Sequence, residues 1–161
     1  MQRIHLAVLV LAACSTQDEV ETMFDPCSPL TIAVTTAYPD DLAAVEAAMT
    51  EWGRVISANE VTVTSEPAPE GALRVHFIPG QRAMRGGYFD AVGVIEIARD
   101  MLAPEAHPIA VAHELGHAFG LLHVDGSQRR SVMNVGNTTI TPTAEDAAAV
   151  MAQWASCRSL P

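Results

Sequence analysis

The sequence predicts an α+β domain built around one core. Two observations lead there: short β-rich runs are cut off by Pro and Gly, and three longer stretches carry helical periodicity, one of them holding half of the histidines. Residues 30–36 are the first β-rich run, and residues 39–56 then alternate apolar and acidic residues at helical period. Leu42, Val45, Met49, Trp52 and Ile56 form the stripe that this helix buries. Residues 60–64, 73–78 and 92–97 are three further strands, punctuated by Pro67, Pro69, Gly71, Pro79 and Gly80. Between the last two, Gly86, Gly87, Tyr88, Phe89 and Asp90 make a short edge strand or a plain hairpin with glycine at its turn. Ile109, Val111, Leu115, Phe119 and Leu122 recur at near-helical spacing and mark the packing side of a second helix. Thr141, Pro142, Thr143, Ala144, Glu145 and Asp146 start a third: a Thr cap, Pro in the first turn and acids at the positive end of the dipole. Residues 147–154 continue it, and no internal repeat is present.

The second helix carries the chemistry. Residues 113–123 spell HExxHxxGxxH, with His113, His117 and His123 as candidate metal ligands and Glu114 beside the first. Two histidines four apart lie on one helical face, roughly 6 Å from each other, so both rings can turn to one ion. Continuing the helix at about 100° per residue would rotate His123 roughly 240° away from His117 and remove it from the site. Gly120 resolves this, because glycine accepts the left-handed conformation that ends a helix and turns the chain back. Three neutral imidazoles suit a single Zn2+ that keeps an open position for water, and Glu114 is placed to act as general base. The bland alternative is a core helix carrying three satisfied histidines.

With its third histidine, the motif resembles the signature of the metzincin clan of zinc endopeptidases. The resemblance implies a methionine turn under the metal, and Met133, within Ser131, Val132, Met133 and Asn134, fits that role without binding the ion. It also implies a twisted, mostly parallel five-stranded sheet with an antiparallel edge strand, an α/β-type upper subdomain, an active-site helix and a C-terminal helix. Gly87, Tyr88 and Phe89 would then be the edge strand that pairs with the substrate backbone. The acidic start of the last helix is similar to the matrixin branch, so a small matrixin-like member is expected. Two departures stand out. Val135 occupies the place of the tyrosine found in astacin-like and serralysin-like members, and Val124 follows the third histidine. The matrixin segment that holds a second zinc and calcium has no clear counterpart, leaving His76 and His107 as surface or strand histidines.

The N-terminus bears on location. Met1, Gln2 and Arg3 precede an apolar run too short to span a bilayer, which takes about 20 residues, but suited to a signal peptide. Leu11, Ala12, Ala13 and Cys14 resemble the bacterial lipoprotein box, which implies a signal peptide at 1–13, lipidation of Cys14, a flexible tether through 28 and a peptidase domain at 29–161. The protein would be exported and anchored to a membrane through its N-terminal lipid; an uncleaved apolar segment is the alternative. Removing Cys14 from three cysteines leaves Cys27 and Cys157, an even pair suited to a disulfide. Alternatively, Asp25, Pro26, Cys27, Ser28 and Pro29 resemble a matrixin cysteine switch, or Asp25 itself reaches the zinc.

Without the leader, eight basic and nineteen acidic residues give a formal charge of −11, and the chain has no lysine. Such a surface repels nucleic acid and anionic headgroups. The expected partner is a protein or peptide substrate of a monomeric enzyme that hydrolyses peptide bonds. A metzincin-fold binding module without catalysis and a hydrolase of cell-wall peptides are the competing readings.

Overall fold

The apolar residues of the β-rich runs build a central sheet. The computed structural model describes residues 24–35, 38–56, 61–65, 67–80, 87–90 and 93–158. The expected leader, Cys14, the tether as far as residue 23, and Gly86 lie outside them. In chain order the elements are β1 (Leu30–Thr35), α1 (Pro39–Gly53), β2 (Val61–Ser65), β3 (Leu73–Ile78), β4 (Gly87–Phe89), β5 (Val94–Ala98), α2 (His107–Ala118) and α3 (Ala144–Gln153). Across the sheet the order is β2-β1-β3-β5-β4. β1, β2, β3 and β5 run parallel, and β4 pairs antiparallel with β5 at one edge. Parallel neighbours need a crossover, and α1 provides it between β1 and β2.

Ile32 and Val34 of β1, Leu73 and Val75 of β3, and Ile95 and Ile97 of β5 are buried, as the period of two requires. α1 and α2 pack on each other through Trp52. Its indole N–H donates to the Ala112 carbonyl at 2.9 Å, and its ring meets Phe119 edge to face at 5.4 Å. The stripe on α1 differs from the expected one. Val45, Met49, Trp52 and Ile56 are buried, whereas Leu42 is half-buried and Asp41, Ala44 and Ala48 take the inner face. Asp41 tolerates burial because it pairs with Arg99, whose guanidinium lies 3.9 Å from the centre of the Tyr38 ring. Leu122 is also corrected. It is 48% exposed, because the helical phase that would bury it stops at Ala118.

Cys27 and Cys157 form a disulfide, with their Cα atoms 5.1 Å apart. Cys27 is therefore not a switch, and Asp25 is turned away from the histidines. The Asp25 carboxylate accepts from the Cys27 amide (2.9 Å), Ser28 Oγ (2.7 Å) and Ser156 Oγ (2.6 Å). Partial burial alone would raise its pKa, but hydrogen bonds led by Ser156 and Ser28 hold it below the usual value. Phe24 N donates to Ala118 O at 3.3 Å, which joins this segment to the end of α2. Among the described residues no helix is long and apolar enough to cross a membrane.

Candidate metal centre

His113 and His117 stand one turn apart on α2, their ring centres 5.0 Å from each other, and both side chains are buried. Each ring is oriented from behind. His113 Nδ1 lies 2.7 Å from Val132 O, and His117 Nδ1 lies 2.8 Å from Leu121 O. A carbonyl only accepts, so both Nδ1 atoms carry the proton and both Nε2 atoms present a lone pair.

The helix ends in the way that supplies the third ring. Gly120 has φ +93°, its N–H bonds to His117 O at 2.9 Å, and Leu121 N–H bonds to Gly116 O at 2.8 Å. These two bonds are the Schellman pair, with glycine at the left-handed position. Trp154 Nε1 and Gln153 Nε2 donate to the freed carbonyls of Phe119 and Gly120 at 3.0 and 2.8 Å. The reversed chain brings His123 Nε2 to 3.2 Å from Nε2 of both His113 and His117.

These three nitrogens could hold a metal ion. With two rings already donating through Nδ1, their Nε2 lone pairs both face His123 Nε2, which has at most one N–H to offer them, whereas a cation would satisfy all three nitrogens. Tetrahedral zinc with Zn–N of about 2.0–2.1 Å sets its nitrogens roughly 3.3–3.4 Å apart, close to the spacing found. A second cluster, Asp25 with Cys27 and Cys157, has no such capacity because both sulfurs are consumed in the disulfide.

Burial lowers the pKa of all three histidines, that of His117 to about 4 with help from the neighbouring His113. Neutral imidazole is the ligating form. Glu114 is buried in the next position along α2, and burial pushes its pKa up to about 8 against a hydrogen bond from the Phe89 amide. These shifts set opposite slopes in the metal-free protein. The unfolded chain takes up protons on its histidines below about 6.5 while the folded one resists, so stability falls on acidification from there towards pH 4. Folded Glu114 keeps a proton that the unfolded carboxyl loses above about 4.5, so stability also falls as pH rises towards 8. With three histidines opposing one carboxyl, thermal melts of chelated protein should show greatest stability near pH 6.5. A bound divalent cation should remove most of the alkaline loss, because it favours the Glu114 carboxylate; an identical profile with and without metal would contradict this.

Met133 is fully buried under the site. Gly116, whose importance sequence reasoning missed, makes room for it: a Cβ at that position would stand 2.3 Å from Met133 Sδ. The turn itself is tied by Asn134 and Asn137. Asn134 Oδ1 accepts from Ser131 N at 3.0 Å, and its Nδ2 donates to Val124 O and Arg129 O. Asn137 Nδ2 donates to Val132 O at 3.1 Å.

Asp146 governs the same segment. The sequence places it beside Glu145 at the positive end of the helix dipole, after a capping threonine. The cap is Thr143, which shares a reciprocal capping box with Asp146. The fully buried Asp146 carboxylate accepts from Ser131 Oγ (2.5 Å), Arg129 Nη1 (2.7 Å) and Val132 N (3.0 Å). It thereby fixes the residue whose carbonyl orients His113. We expect Asp146→Asn to cost about 3 kcal/mol of unfolding free energy, because Arg129 and Ser131 lose their charged acceptor. Metal affinity should fall roughly tenfold or more, as for other groups that orient a ligand. Denaturant melts and metal titration check both, and unaltered affinity would show that the Val132 link is not transmitted.

Of the other expected site residues, Gly87 and Phe89 do meet Glu114 across the gap between β4 and α2. His107 is buried instead of lying at the surface, with Nε2 3.1 Å from Arg99 O and its ring edge-on to Phe77.

No family model and no curated protein matches the sequence. Among solved structures, a crystal structure of myroilysin superposes with a TM-score of 0.58 at 16% identity, covering 83% of this chain and 86% of that one. A second structure of myroilysin gives a TM-score of 0.46 at 20% identity over 63% of this chain, which spans about half (52%) of its length. The first likeness establishes a shared fold, a mixed α/β domain with a parallel sheet and three helices.

Proposed function

We propose that this chain is a zinc-dependent endopeptidase in which Glu114 is the general base. The observation that carries the reading is the convergence of His113 Nε2 and His117 Nε2, each at 3.2 Å, on His123 Nε2, the first two rings fixed from behind by backbone carbonyls, with a buried carboxyl next in sequence. Bound zinc supplies Lewis acidity, polarising a peptide carbonyl and making water a stronger acid. His113, His117 and His123 would hold the ion as neutral donors, and of the three it is His123 that is exposed to solvent. Glu114 removes the proton of the attacking water and returns it to the leaving nitrogen. Its burial raises the pKa, which makes the ionised carboxylate a stronger base towards that water. Backbone groups at the open edge of β4 align the substrate as an added strand.

The Met133 turn and the acidic start of α3 support a matrixin-like placement, while Val124 and Val135 argue against a closer assignment. The apolar run before Cys14 supports export as a lipoprotein, with the lipid on Cys14 holding a monomeric domain at a membrane. An even, paired set of remaining cysteines agrees with an oxidising compartment. Incubating metal-loaded protein with a diverse peptide library, with and without a chelator, tests the activity. Chelator-sensitive internal cleavage is expected, and cleavage that survives chelation, or none, would overturn the reading.

A further inference from the structure

Among the described residues, β4 closes one edge of the sheet and pairs with β5 alone. Along an antiparallel pair, residues alternate between those bonded to the partner and those whose N–H and C=O turn away. Asp90 N–H bonds to Val94 O at 3.0 Å, so the pair two residues earlier, Tyr88 with Glu96, is also of the bonded kind. Gly87 and Phe89 consequently turn their backbone groups to the open edge. One of those groups is committed, because the Phe89 amide donates to the Glu114 carboxyl on α2.

That bond needs β4 and Glu114 close together, and position 87 is where space runs out. A Cβ on Gly87 would stand 2.7 Å from both Cγ and Oε1 of Glu114. Positive φ is not the reason for glycine here, since the described glycines with that conformation are Gly71, Gly93, Gly120 and Gly136. The requirement is room for one particular side chain.

We infer that Gly87 is a positioning residue for Glu114: having no side chain, it lets β4 close onto α2 so that the Phe89 amide holds the carboxyl in one orientation. The catalytic consequence rests on Glu114 being the general base; the placement does not. A side chain at 87 projects towards α2, across the plane of the sheet, and leaves the outward N–H and C=O of Gly87 open to an added strand. Substitution should therefore act on turnover and spare substrate pairing.

The test is Gly87→Ala in the metal-loaded full chain. Expected are unchanged metal content, KM within about twofold, kcat lower by about tenfold or more, and a Phe89 amide that exchanges about tenfold faster with solvent. Unchanged Phe89 exchange overturns the inference whatever happens to turnover. Loss of metal overturns it too, as does a raised KM at constant kcat, because each moves the effect away from the carboxyl. Should Gly87→Ala fail to fold, Glu114→Ala in the otherwise unaltered chain must speed Phe89 exchange to the same extent, and a protected amide there refutes the contact. A parent chain without peptidase activity sinks the hydrolase reading alone, and Phe89 exchange still decides for or against Gly87.

Discussion

Glu114→Gln should bind one metal ion as the parent does and lose peptide hydrolysis by roughly 10²–10⁴-fold, the usual worth of a positioned general base. The amide keeps the shape of the side chain and an oxygen able to accept from the Phe89 amide, so β4 and α2 stay in place. The orientation of His113 and His117 does not depend on it, because those rings are held through Val132 O and Leu121 O. What the variant lacks is an atom that accepts a proton from water and later releases it. Metal content by atomic absorption, read beside kcat, separates the possibilities. Undiminished turnover would mean another base operates, and loss of metal would mean that the carboxyl supports the ligands.

The second large effect concerns stability. Replacing both cysteines, Cys27→Ser with Cys157→Ser, should lower the unfolding free energy by about 4–5 kcal/mol, since the closed loop exceeds the 100-residue case of the chain-entropy relation. The two residues are 130 positions apart, so the crosslink restricts nearly the whole unfolded chain. Asp25 loses geometry in the same step, because Ser156 and Cys27 reach it from opposite sides of the bridge. Phe24, whose amide bonds to the last carbonyl of α2, should loosen with it. Denaturant midpoints of the metal-free parent and double variant measure this, and a difference below about 1 kcal/mol would show that the unfolded state was already compact.

Parts of this structure were legible because their causes are local. β3 spans the residues expected, bounded by Gly71 before it and Pro79 after it. The turn at Gly120 could be reasoned from rotation per residue, since a straight helix and a third ligand are incompatible. The remainder depends on partners far along the chain. Burial of Asp41 follows from Arg99, 58 residues later, and no periodicity contains that pairing. Gly116 and Gly87 look like interchangeable glycines until Met133 and Glu114 are found against them. Asp146 illustrates the same point: its acidic character suited a helix start, but its bonds to Ser131 and Val132 exist only because the turn folds back over α3. Asp25 and Phe24 each have a tertiary partner that the acidic composition of their segment does not reveal.

The Cys27–Cys157 bridge makes every strand and helix from β1 to α3 part of one covalent ring. A single cut in any connecting loop opens that ring without producing two molecules. A nick by any peptidase therefore leaves both pieces attached, migrating as one species until a reductant is added.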